Sequence, residues 1–179
     1  MLQTIEHLFD ASPERLWQVS FFDADHERGL YERLRLRVVD RELQFEGAGP
    51  TLFVRRRVRL VPERAPPALI GRVIGGAGRV VTETGDFSAA HRRYSVSVAV
   101  PMLAGTVRVE GEYTWDTLPG GETLRVWRGL CEARIPLLGP ALERYLLAEI
   151  ENSLAESHAF TRRWLREHPA AGADDVLGP

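Results

Sequence analysis

A chain of 179 residues suits one domain with a sizeable core, and two domains would be cramped. With 44% hydrophobic and 27% charged residues and a net charge of −2, its overall balance points to neither nucleic acid nor an anionic membrane as a partner. All 23 basic residues are arginine, and the single cysteine, Cys131, excludes an internal disulfide and a cysteine-rich zinc site.

The N-terminus carries Glu6 and Asp10 and no long apolar run, so neither a signal peptide nor a membrane span is expected, and a cytoplasmic location is the default. Residues 3–10 alternate as a strand with Ile5, His7 and Phe9 on one face. Ser12-Pro13-Glu14 starts a helix: a capping hydroxyl, a proline where no N–H is needed, and an acid in the first turn. That helix carries Leu16, Trp17 and Val19 inward, and a second short helix covers Ala24 to Tyr31. Leu34, Leu36 and Val38 alternate with arginines as a strand. The apolar parity then moves to Val39, Leu43 and Phe45, which predicts a bulge or bend near Val38–Asp40.

After the turn at Gly47–Pro50, Leu52, Val54, Arg56, Val58 and Leu60 share one face of the next strand, with Arg56 the odd member. Pro62–Pro67 is a loop, Ala68–Ile74 a short helix or a strand fragment, and Gly75–Gly78 loosens the backbone. Strands follow at 79–87, 91–100 and 106–117. The turn at Leu118–Gly121 leads into a last strand at 122–135, with Cys131 pointing inward. From Pro140 no glycine or proline intervenes until Pro169, which defines a helix of about 40 Å. Leu142, Leu146, Leu147, Ile150, Leu154, Phe160, Trp164 and Leu165 form its apolar stripe, interrupted by Ser153, Ser157 and Thr161. The tail at 169–179 lacks the apolar content to order itself.

Several clusters have bland readings. Asp23, Asp25, His26 and Glu27 are metal-ligand types, but their spacing on a short helix suits a solvated surface and no metal site. The glycines between 71 and 78 lack the strand–loop–helix context of a dinucleotide fingerprint, so no cofactor is expected. Arg55, Arg56, Arg57 and Arg59 divide between two faces and form no nucleic-acid patch. Arg56 is different because an inward guanidinium needs acceptors, either an internal acid or a ligand. Glu143, one turn into the long helix, either favours the helix N-terminus or pairs with Arg56. His7 is a core histidine or a site residue.

The segment Cys131-Glu132-Ala133-Arg134-Ile135-Pro136-Leu137-Leu138-Gly139, followed by Leu142-Glu143, Thr161 and Trp164-Leu165, resembles a bacterial branch of the START-like (SRPBCC) superfamily known only as a domain of unknown function. Asp10 to Trp17 resembles that superfamily's first strand-to-helix junction, and the resemblance covers nearly the whole chain except the tail. It implies an α+β helix-grip fold like that of lipid-transfer domains, the birch pollen allergen and polyketide cyclases. A curved antiparallel sheet of six or seven strands would wrap the long helix over residues 1–168, with two short helices after the first strand. It also implies an internal cavity for apolar ligands and supplies no catalytic motif.

The expected function is therefore binding of a hydrophobic small molecule, lipid or polyketide-like, as carrier or sensor. Arg56, His7 and Glu143 would supply polar contacts, and Leu146, Ile150, Ser153, Leu154, Ser157 and Thr161 the helix wall. No nucleic acid, metal or stable membrane insertion is expected. An enzyme of the cyclase or hydrolase type would instead use His7, Arg56 and Glu143 for proton transfer on one substrate. A third reading is an interaction module with a filled core.

Overall fold

The computed structural model describes residues 1–74, 79–100, 103 and 105–169. The elements are β1 (Leu2–Phe9), α1 (Pro13–Phe22), α2 (Ala24–Leu34), β2 (Leu36–Glu46), β3 (Phe53–Pro62), α3 (Ala68–Ile74), β4 (Val81–Ser88), β5 (Arg93–Ala99), β6 (Val107–Thr117), β7 (Thr123–Ala133) and α4 (Gly139–Glu167). Seven antiparallel strands form one sheet in the order β1-β7-β6-β5-β4-β3-β2, so the first strand lies beside the last. With α4 gripped by this curved sheet, the architecture is the helix-grip α+β fold.

Local chemistry sets the boundaries. Ser12 accepts from the Arg15 N–H and Pro13 opens α1, as the capping pattern predicts. Asp23 caps α2 by accepting from the N–H groups of Asp25 and His26. That helix runs three residues past Tyr31 and is closed by Arg35 in the left-handed region at φ 55°. The β2–β3 register shifts between Val38 and Asp40, at the predicted bulge. Residues 68–74 resolve to helix. Gly75–Gly78, and the tail beyond Pro169, lie outside the described residues.

Opposed residues share a face, so the register defines rows that cross the sheet. One inner row reads Trp127, Tyr113, Tyr94, Phe87 and Val54; its neighbour reads Gly129, Gly111, Val96, Gly85 and Arg56. The rings lean onto the glycines. A Cβ on Gly111 would fall 2.7 Å from Cε2 of Trp127, and one on Gly85 would overlap the Tyr94 phenol. The core continues with Phe9, Leu16, Trp17, Phe21 and Trp115 at one end, and with Val109, Cys131 and Leu147 at the other. Cys131 is fully buried, and burial raises its thiol pKa to about 11. The backbone of α4 lies closest to α2, β7 and β1. Among the described residues no helix is long and apolar enough to cross a membrane.

Candidate functional site

Besides the more exposed Arg41, paired to Glu27, the inner face of the sheet carries Arg56 and Arg125, and the surroundings of these two differ. Arg56 on β3 is ion-paired to Glu83 on β4 and, at 3.2 Å, to Glu27 on α2. It also donates to the Tyr31 hydroxyl and approaches that of Tyr94 at 3.5 Å. Glu27 is shared with Arg41 at 2.9 Å. Burial alone would lower the Arg56 pKa, but Glu83 and the two tyrosines reverse this and hold it well above the ordinary value. Arg56 is thus paired with internal acids and is poorly placed to anchor a ligand.

Arg125 on β7 has no acid. Its Nη2 donates to Nδ1 of His7 at 3.3 Å, and its Nε is buried without a partner. The guanidinium lies 4.9 Å from the Phe9 ring centroid and 5.7 Å from that of Tyr113. No ion pair to it is found among the described residues, and burial lowers its pKa. Because arginine only donates, the His7 proton sits on Nε2. Burial, Arg125 and His158 lower the His7 pKa to about 4, so the ring is neutral near pH 7. His158 on α4 stacks on His7 at 4.5 Å and donates from Nε2 to the Leu8 carbonyl at 2.8 Å.

The other expected site residues separate. Glu143 accepts from the Ala133 N–H at 2.9 Å and faces the N-terminal ammonium at 3.8 Å. His7, Arg56 and Glu143 therefore share no partner, and the geometry does not assemble them on one substrate position. Leu146 and Ile150 pack against the Val109–Cys131–Leu147 cluster, and Leu154 is buried. Ser153 and Ser157 are half-buried. Thr161 is buried against α2, where it is hydrogen-bonded to Nε2 of His26 at 3.1 Å.

This last contact corrects the expectation that Asp23–Glu27 is a solvated surface. His26 is only 2% exposed, held among Thr161, Phe160 and Trp164, while Asp23 accepts from the Trp164 indole at 3.0 Å. The helix presents these polar groups to α4 and β3 because their partners come from far along the chain. Among the described residues no group of three His, Cys, Asp or Glu side chains could hold a metal ion.

A groove of about 820 Å³ crosses the outer face of the sheet, floored by the backbone of Gly85, Gly111 and Gly129. Its walls are charged rows that largely neutralise themselves, as in Arg55–Asp86 and Arg57–Glu42. Its buried orphan atoms, Oε1 of Gln3 and Nε of Arg56, belong to a neutral amide and to an arginine already paired with acids, so the interior near Arg125, which has no acid among the described residues, is the stronger candidate.

Arg125 was not singled out from the sequence. Inward alternation from Thr123 to Ala133 marks it as the same rule marks Arg56, but Leu124 and Val126 are apolar on the opposite parity and blur the signal.

Among solved structures, the fold is similar to the protein TTHA0849 from Thermus thermophilus, at 19% identity and TM-score 0.59, covering 95% of this chain and 100% of that one. It is also similar to the Zhui aromatase/cyclase from Streptomyces sp. R1128, at 17% identity and TM-score 0.58, covering 97% and 100%. Norcoclaurine synthase from Thalictrum flavum, solved with dopamine and hydroxybenzaldehyde, aligns at 13% identity and TM-score 0.56, covering 95% and 90%. These identities speak to fold alone. No curated protein matches the chain significantly. Residues 4–165 match the family described as "Protein of unknown function (DUF2505)", and the chain belongs to that family.

Proposed function

We propose that the protein binds an apolar small molecule between α4 and the inner face of the sheet. One observation carries this reading. Val96 and Tyr113 face inward at the centre of the sheet and Ser153 and Ser157 interrupt the apolar stripe of the helix, yet all four remain half-buried. Buried residues lie at both ends of this zone, Phe87 and Trp115 on one side and Val109 and Cys131 on the other. A core built only for stability closes its centre first. The related fold of norcoclaurine synthase, solved with two small aromatic molecules, supports the same reading.

Titration with the neutral dye N-phenyl-1-naphthylamine, together with native mass spectrometry of protein from its own source, tests it. Saturable fluorescence enhancement, abolished by Ser157→Leu, is the expected result. The packed ring cluster of Trp17, Phe21, Phe87 and Trp115 favours a second reading, an interaction module with a filled core. Absence of any bound molecule and of any dye response would establish that reading in place of the first.

A further inference from the structure

Resting on the binding reading above, we infer that the ligand carries a single carboxylate and that Arg125, oriented by His7, is its counter-ion. Burying a guanidinium without an anion costs several kcal/mol even after relaxation. The same sheet shows how this protein meets that cost where the role is internal: Arg56 receives Glu83, Glu27, Tyr31 and Tyr94. Arg125 receives only a neutral imidazole and two aromatic faces. Nε of each of these arginines is shielded from water without an acceptor, but Arg56 has two acids at its Nη atoms and Arg125 has none among the described residues. The missing acceptor is therefore an anion from outside the chain.

The chemistry of that anion follows from the groups around it. The Nε–H and Nη–H edge of arginine is a planar fork that fits a carboxylate with two parallel hydrogen bonds. The Nη2 bond to His7 fixes the plane of the fork, and the stack of His158 on His7 fixes His7 in turn. Both histidines have lowered pKa values, so neither adds a second positive charge near neutral pH. One cation matches one negative charge, which favours a monocarboxylate over a phosphate dianion. The rings of Phe9 and Tyr113 flanking the guanidinium suit an aryl or alkyl body attached to it. The ligand class is thus an apolar monocarboxylic acid.

The test compares 2-naphthoic acid with its neutral isostere 2-naphthamide as displacers of N-phenyl-1-naphthylamine at pH 7.5. Wild type should prefer the acid by about tenfold or more, the range of hydrogen bonds to a charged group. In Arg125→Met the preference for the acid over the amide should vanish, the acid losing at least about tenfold more affinity than the amide; Arg125→Gln provides the same comparison with a polar replacement. Equal affinity for acid and amide in wild type overturns the inference while leaving the binding reading intact, as does an acid preference that survives both substitutions. Failure of the dye and of both displacers to bind removes the binding reading and this inference with it.

Discussion

The indole of Trp127 lies flat across Gly129 on its own strand and reaches Gly111 on the neighbouring one, so that a Cβ on Gly129 would sit 2.8 Å from Cε2 and closer still to the outer ring carbons. Gly129→Ala should therefore overpack the inner face and lower stability by about 1–3 kcal/mol. Urea denaturation measures this, and Trp127→Leu in the alanine background should recover part of the loss as a coupling energy. A change below about 0.5 kcal/mol, the range of surface substitutions, would show that the ring can slide off the glycine at little cost.

Arg56 and Arg125 should respond oppositely to the same substitution. Arg56 is 11% exposed, and replacing it with methionine strips Glu83 of its cation and leaves Glu27 to Arg41 alone, at a cost of about 3–5 kcal/mol. Arg125→Met removes an unpaired charge and keeps an apolar stem, so the ligand-free protein should be as stable or more stable. Chemical denaturation of the pair side by side checks the contrast; equal losses would mean that Arg125 has a structural partner after all.

Acid should weaken the fold through its buried histidines. Burial lowers the His26 pKa from 6.5 to about 4, partly countered by Asp23. Between those values the unfolded chain binds a proton that the native state refuses, so stability rises with pH across this window and is lost as pH falls through it. For the buried His26 the full loss is about 3 kcal/mol. His7, shifted in the same direction, adds to it. Melting temperatures measured from pH 7 to pH 5 should fall in wild type and fall less in His26→Gln; parallel profiles would assign the acid sensitivity elsewhere.

Ser157→Leu distinguishes space from packing. Half-buried on α4 opposite the sheet, Ser157 should accept a larger side chain with near-neutral stability while dye binding is lost. A cost of about 1–3 kcal/mol would instead identify tight packing at that point of the helix.

The fold was legible because its signals are local. Strict alternation, the parity change at Val38–Asp40 and the uninterrupted run from Pro140 to Pro169 each predict one element, and register then follows from which face is apolar. The site was legible only in fragments. His7 and Arg56 face inward as alternation requires, but whether an inward arginine is paired depends on Glu27 and Tyr31, which lie on a helix whose polar face looks solvated until Thr161 and Trp164 close over it. Periodicity reports which side a residue faces and is silent on what it meets there. That limit made Arg56 the apparent anchor, whereas in the structure Arg56 has its acids and Arg125 is the one without.

The placement of β1 at the sheet edge, paired to β7 alone, has a consequence for how the chain acquires its structure. Leu2–Phe9 is made before the other strands of the sheet and its partner Thr123–Ala133 after them, so the pairing with the highest loop-closure entropy must wait until all seven exist. The hairpins from β2 to β6 pair consecutive strands and can form as they appear. Folding should therefore grow from the middle of the sequence outward, with the docking of β1 as a late, slow step. A chain arrested before residue 123 would expose an unpaired strand able to pair with another copy of itself.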